Sequence, residues 1–306
     1  MGGKIRISLT NQCNYSCSFC HREGLTASAE RSEIAKDDLA LLINRFYAAG
    51  FRCFQFTGGE PLCHRERIDT LLPKQYLKQY PDCEFALITN GFLAYTKRME
   101  ILNSCIQKMK ISFHAYSDEV MYKVQGIRGI NMVKKAVVFF STEMPIVLNY
   151  LALEENYSEF DSILNFCIVN KVNLSVLPYV SSLANFKRKN DEIRSRIINK
   201  FMSNSIEEKI IDRTVGANRL RVNLRGVQIK IYTTPSSVEI GLCSKCSDKA
   251  ICYEKLFAIR ISPKQEALLC LLSKKVVDLK TILHNEEVFL GNMNNFFSPA
   301  NPSGVA

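Results

Sequence analysis

The sequence predicts an α/β protein, a run of parallel β/α units followed by a smaller C-terminal α+β region. Three observations carry this. Strand-like and helix-like stretches alternate through six units before residue 210. The crossing segments are amphipathic and long enough to return the chain to the same end of a sheet, so consecutive strands run parallel with right-handed crossovers. After residue 210 the alternation gives way to a hairpin and a second group of cysteines.

Taken in order, Lys4–Thr10 (KIRISLT) alternates polar and apolar residues as a strand does. A cysteine loop follows, and residues 36–49 then set Leu39, Leu42, Ile43 and Phe46 on one helical side. Phe51–Thr57 reads as a strand ending in Gly-Gly, residues 66–80 as helix and Glu84–Thr89 as a buried strand. A helix near 95–106, a strand at Lys108–Phe113, a helix near 131–141 and a strand at Ile146–Leu153 continue the rhythm. A helix near 157–169, a strand at Val172–Leu177 and a helix near 190–206 close it. Six units are too few for a complete eight-unit barrel, which leaves an open sheet or a three-quarter barrel. Beyond 210, Leu220–Leu224 and Val227–Tyr232 flank Arg225-Gly226 as a hairpin, Phe257–Ser262 reads as a strand and residues 276–290 as a last helix. The expected divisions are 1–209, 210–297 and a disordered tail at 298–306.

No apolar run reaches the ~20 residues needed to span a bilayer, and the N-terminus has no apolar signal-peptide core. A cytoplasmic protein with no membrane or nucleic-acid partner is expected. The net charge is +10, and its densest basic run (Lys187, Arg188, Lys189, Arg194, Arg196, Lys200) reads as a solvated helix face. Twelve cysteines in such a chain do not suggest a disulfide framework. Cys53, Cys63, Cys83, Cys105 and Cys167 are scattered and read as packing residues.

The other seven fall into two groups. Cys13, Cys17 and Cys20 follow the first strand at spacings that let three thiolates hold three corners of a 4Fe–4S cubane, leaving one iron open. A zinc knuckle with His21 as fourth ligand is the alternative. Cys243, Cys246, Cys252 and Cys270 could ligate a second 4Fe–4S cluster or a structural zinc.

Cys-x3-Cys-x2-Cys after a first strand, then Thr57-Gly58-Gly59-Glu60-Pro61 at the end of the second, resembles the radical SAM superfamily. Thr89-Asn90-Gly91, Ser112 and Asn149, at successive strand ends, also match its pattern. The resemblance implies a partial (β/α)6 TIM-like barrel with a small C-terminal iron–sulfur domain. It implies S-adenosylmethionine (SAM) chelated to the open iron and cleaved reductively to a 5′-deoxyadenosyl radical that takes hydrogen from a substrate. Gly58, Gly59, Glu60, Thr89, Asn90, Ser112 and Asn149 would bind SAM, the Glu60 carboxylate pairing with its ammonium. Phe19 holds the place of an aromatic beside the adenine, with simple loop packing as the alternative. An electron donor such as flavodoxin or ferredoxin is implied. His114 and Tyr116 are candidate acids or bases, with a positional role equally open.

Within the superfamily the chain resembles the MoaA group, the GTP 3′,8-cyclases of molybdenum-cofactor biosynthesis, over nearly its whole length. The start IRISLTNQCNYSCSFCHREG, the turn Gly126-Ile127-Arg128-Gly129, and Arg260 with Cys270-Leu271 carry this likeness. It implies that Arg6 and Arg260 touch the substrate. The departures point elsewhere: Gln55 and Val147 stand where that group has an arginine and a lysine, and Ser247-Asp248-Lys249 replaces its Arg-x-Arg. Gly304-Val305-Ala306 replaces its Gly-Gly tail, and Cys252 is an extra thiol that would close the second cluster's open iron. Losing two cations that each contribute ~1.5–3 kcal/mol to a bound triphosphate would weaken it a hundredfold or more. The expectation is therefore a substrate other than GTP, a peptide or other small molecule, with a SPASM/twitch-type auxiliary cluster. A GTP 3′,8-cyclase is the alternative, and a non-catalytic iron–sulfur or zinc-binding protein the alternative from another class. Asn218-Arg219-Leu220-Arg221 reads as a hairpin strand with exposed arginines that could still meet an anionic substrate.

Overall fold

A computed structural model describes residues 3–21, 30–179, 184–203, 208–212, 217–235, 246, 250, 252–253, 258–268, 270–271 and 276–297. The parallel strands follow the expected order. They are β1 (Lys4–Thr10), β2 (Cys53–Gly58), β3 (Glu84–Thr89), β4 (Lys108–Ser112), β5 (Ile146–Leu151) and β6 (Asn173–Leu177). Each pairs in parallel with the next.

Several crossover segments differ from the expected helices, for local reasons. Helix α1 (Lys36–Ala48) buries the four apolar residues of its predicted face. The segment 66–80 yields two one-turn helices, α2 (Ile68–Leu71) and α3 (Tyr76–Gln79), because Pro73 between them lacks an N–H and excludes helical geometry from the residue before it. α4 (Arg98–Leu102) is shorter than expected. α5 (Asp118–Gln125) was not foreseen, although both its signals are local: Ser117 caps it by accepting from the Val120 N–H, and Gly126 ends it at φ +72°. α6 (Ile130–Phe140), α7 (Phe160–Val169) and α8 (Ala184–Ser203) complete the outer layer.

The residues after 210, expected as an appended region, extend the same sheet at both edges. β7 (Glu208–Asp212), β8 (Ala217–Leu224) and β9 (Val227–Pro235) form an antiparallel meander whose last strand pairs in parallel with β6. The predicted hairpin turn has Arg225 and Gly226 both at positive φ (50° and 78°), as its two-residue geometry demands. β10 (Ala258–Ile261) joins the other edge beside β1, followed by β11 (Glu266–Leu268) and β12 (Val276–Asp278). The sheet thus runs β12-β11-β10-β1-β2-β3-β4-β5-β6-β9-β8-β7, and the strands from β10 to β9 are all parallel. Residues 276–278 open the segment expected as helix with an edge strand led by two β-branched valines; α9 (Lys280–Leu283) and α10 (Glu286–Phe297) follow. Phe289 of α10 packs edge-on against Phe46 of α1 at 5.1 Å, clamping the chain's end to its first helix. The predicted tail, 298–306, lies outside the described residues.

The sheet's two faces differ in kind. Ile5, Ile7, Phe54, Phe56, Phe85, Leu87, Met109, Ile111, Leu148 and Val176 are buried on the helix-covered face. The alternate residues carry polar and cationic side chains to the concave face, where residues from nine strands line one cavity of about 510 Å³. Strand alternation of period two produces both faces from one pattern. No helix among the described residues is long and apolar enough to cross a membrane.

Candidate active site

The cavity has a rim at the strands' C-terminal ends and a wall that descends between them. At the rim sits the cysteine loop, fastened on two sides. Gly59 N–H donates to Thr10 O (2.8 Å) and Glu60 N–H to Gln12 O (2.7 Å), tying the loop's base to the end of β2. The glycines are required by this close approach: a Cβ on Gly58 would lie 2.3 Å from Thr10 O, and one on Gly59 2.2 Å from Gln12 O. On the other side, Ser16 and Ser18 N–H donate to the carbonyls of Gln125 and Val124 (3.2 Å each), so the C-terminal end of α5 holds the loop.

Glu60 is 1% exposed, and its carboxylate accepts from Thr89 Oγ1 (2.6 Å), Asn90 N–H (2.7 Å) and Leu62 N–H (3.1 Å). It cross-links the ends of β2 and β3. Burial nonetheless raises its pKa to about 7, the three donors opposing that rise. Asn90 reaches back to the loop, its Nδ2 donating to Asn14 Oδ1 (2.7 Å) and lying 3.9 Å from Cys13 Sγ.

Cys13, Cys17 and Cys20 all line the cavity. Burial pushes the Cys13 and Cys17 thiols up to about 11 and about 12, so each holds its proton near neutrality until a metal displaces it. Among the described residues no three His, Cys, Asp or Glu side chains converge on a single metal ion. A cubane asks for something else, one thiolate at each of three separate irons. The loop also fits a bound group through its polar atoms: Asn14 Nδ2 and Tyr15 Oη are buried there without a hydrogen-bond partner.

The remaining predicted residues divide clearly. Phe19 meets the His114 ring edge-on at 4.8 Å. Ser112 and Asn149 stand opposite each other in register, and Arg6 and Arg260 likewise; all four line the cavity. His114 is buried with its Nδ1 accepting from Leu151 N–H (3.0 Å), and burial drops its pKa to about 4. It is therefore a neutral ring with its remaining proton on Nε2, held in place rather than poised to titrate. Tyr116 is not among the lining residues: Lys134 Nζ lies 3.4 Å from its ring centroid, on the helix side. Of the second cysteine group, Cys246, Cys252 and Cys270 are partly exposed, and Cys243 lies outside the described residues. Tyr253, next to Cys252, lines the cavity and accepts from Arg194 Nη2 (2.7 Å). Arg194 itself is buried, unlike the solvated residue expected in its basic run.

Sequence reasoning named Arg6 and Arg260 as substrate contacts and missed the lysines that complete the wall. Lys4, Arg6, Lys108, Lys110, Arg219, Lys230 and Arg260 all face the cavity, where Glu60 is the one carboxylate among the described lining residues. Arg219 is buried with its guanidinium 4.9 Å over the Tyr232 ring, which corrects its reading as exposed. Mutual repulsion and burial depress the lysines: Lys110 to about 7 and Lys230 to about 8, desolvation leading in both. A signal was present in the Lys4-Ile-Arg6 and Lys108-Met-Lys110 alternations, which put successive cations on one side of a strand.

Comparison with known proteins agrees with this arrangement. Residues 7–167 match the family model of the radical SAM superfamily. A probable GTP 3′,8-cyclase of Methanococcus vannielii is 24% identical over 288 residues, covering 92% of this chain and 90% of that protein. One from Sulfurisphaera tokodaii is 27% identical over 171 residues, and the match spans 53% of its length. Streptococcus suis SuiB bound to S-adenosylmethionine superposes with a TM-score of 0.64 at 14% identity, over 97% of this chain and 66% of SuiB; that likeness is one of fold. The relatives' names overturn the expectation of a substrate other than GTP. Its physical error was to count the cations lost at Gln55 and Val147 without those supplied by neighbouring strands.

Proposed function

The chain belongs to the radical SAM superfamily, a family of enzymes, and we propose that it works there as a GTP 3′,8-cyclase. The observation that carries this reading is the cationic wall. Seven lysine and arginine side chains converge on a chamber whose lining, among the described residues, includes a single carboxylate. Such crowding is unfavourable in an empty protein and is relieved by a ligand bearing several negative charges, as a nucleoside triphosphate does.

Cys13, Cys17 and Cys20 would hold a 4Fe–4S cluster and the rim residues SAM. Bound together, these groups supply one-electron cleavage of SAM to a hydrogen-abstracting radical. The chain's own contribution is placement. The Gly58–Glu60 segment and α5 fix the cysteine loop at the rim. Ser112 and Asn149 offer neutral hydrogen-bonding groups just inside it. His114, neutral and anchored, holds Phe19 at the edge of the site. Arg6, Arg260 and the other cations draw the substrate's phosphates down the wall, leaving its sugar nearer the rim.

Cys243, Cys246, Cys252 and Cys270 are the thiols that would hold a second 4Fe–4S cluster. Tyr253 on the chamber wall supports a location beside the substrate. The net charge of +10 suits an acidic electron donor such as flavodoxin or ferredoxin.

The test is to reconstitute the protein anaerobically, reduce it, add SAM, and quantify 5′-deoxyadenosine and cyclised nucleotide with and without GTP. A GTP-dependent rise in both is expected. 5′-Deoxyadenosine that GTP leaves unchanged, with no nucleotide product, would remove the reading.

A further inference from the structure

Two of the wall's lysines differ from the rest in their surroundings. Lys108 pairs with Glu84 at 3.4 Å. Lys110, two residues along β4, has Lys4, Arg6 and Lys108 as its cationic neighbours with the Cys53 thiol beside them, and among the described residues no carboxylate pairs with it. Lys230 on β9 is likewise surrounded by Arg219, Arg221, Lys4 and Lys108. An ammonium in a half-buried cavity among like charges is costly unless a ligand neutralises it.

Register shows what these lysines accompany. Lys110 stands directly across from Val147, and Lys230 across from Ser175. Arg6 stands across from Gln55, whose amide Nε2 is buried without a partner and whose side chain lines the cavity. At Gln55 and Val147 the wall is neutral, and Lys110 supplies a cation about 4.8 Å, one strand, away from Val147.

We propose that Lys110 and Lys230 are specificity-determining residues that grip the phosphate groups of the substrate, with Gln55 donating its unpartnered amide to the same ligand. The inference rests on the reading of the chamber as a nucleoside triphosphate site and assigns the phosphate grip to particular side chains. The two lysines approach from different arcs of the wall, since β5 and β6 lie between their strands. A bound phosphate chain is thereby held from two sides, whereas an uncharged nucleoside gains nothing from either lysine. Selectivity for the triphosphate over the nucleoside follows.

The experiment is equilibrium dialysis of the anaerobically reconstituted protein with GTP, guanosine and inorganic tripolyphosphate. Wild type is compared with Lys110→Met, Lys230→Met and the relocated pair Lys110→Val/Val147→Lys, each checked for folding by circular dichroism. Each single variant is expected to lose about 10- to 100-fold in affinity for GTP and tripolyphosphate, with guanosine unaffected. The relocated pair is expected to recover at least a third of the wild-type affinity, because its cation returns to an adjacent position on the same wall. A merely structural lysine would lower guanosine binding too and would not be rescued by relocation. Unchanged tripolyphosphate affinity in Lys110→Met and Lys230→Met would overturn the grip, whatever the substrate. Lysine-dependent tripolyphosphate binding in a protein that does not bind GTP would keep the grip and remove the GTP reading.

Discussion

At the rim, Glu60 is buried with three hydrogen bonds to its carboxylate, and the cysteine loop around it is tied by main-chain contacts to β2 and α5. On the wall, Lys110 is half-buried beside three other cations, and among the described residues no carboxylate meets it. The Glu60 carboxylate is satisfied by the protein itself; the Lys110 ammonium is satisfied by what binds. A group that must be positioned is held by interactions internal to the fold, and a group that must be recognised is left with its interaction unmade. The contrast can be broken or sharpened by four measurements.

The largest effect is expected at the cysteine loop. Cys17→Ser removes one of three corner ligands, and 5′-deoxyadenosine formation under reducing conditions should fall below detection with loss of the iron–sulfur visible absorption. Activity within tenfold of wild type would show that the rim chemistry does not depend on this loop.

The wall should respond to pH. The empty protein holds Lys110 at about 7 and Lys230 at about 8, below the ordinary 10.5. A lysine whose folded pKa is lowered disfavours folding when protonated, so the empty protein gains stability as pH rises from about 7 towards 10.5. A polyanion favours the charged forms, so GTP binding should take up protons, weakening roughly tenfold per pH unit between about pH 7 and 8 and up to about a hundredfold per unit above pH 8, where both lysines are neutral in the free protein. Calorimetric titrations in buffers of different ionisation enthalpy read the protons directly. Proton release on binding would contradict the crowding of cations around these two lysines.

Gly59→Ala tests whether the rim is held as tightly as its distances say. The added methyl would meet Gln12 O at 2.2 Å, a backbone atom that cannot move without the loop. A loss of about 1–3 kcal/mol in denaturant unfolding is expected. No loss would mean that the loop relaxes freely from β2.

The smallest effect belongs to Ser117→Ala, which removes the cap on α5, the helix whose other end holds the cysteine loop. About 1 kcal/mol of stability should be lost with cluster content unchanged. Loss of the cluster as well would show that α5 positions the loop through its whole length.

The rim was readable in the sequence because its residues are consecutive: Cys13 to Cys20, Gly58 to Glu60 and Thr89-Asn90 each form a local motif at a strand end. The strands were readable too, since alternation is a property of neighbours along the chain. The helix break at Pro73 and the separate α5 are also encoded locally, by a proline and by a cap with a glycine stop.

What only the tertiary structure decided is the wall. Lys4, Lys110, Arg219 and Lys230 lie on β1, β4, β8 and β9, and no spacing along the chain relates them. Their meeting depends on β9 pairing with β6 and β10 with β1, which carries the C-terminal strands to both edges of the sheet and curls their polar faces onto one cavity. The sequence by itself determined which end of each strand carries the chemistry; the sheet's register and curvature determined which charges face one another. Electrostatic recognition falls on the second side of that division because Coulomb interaction depends on distance through space, and a strand pattern records only distance along the chain.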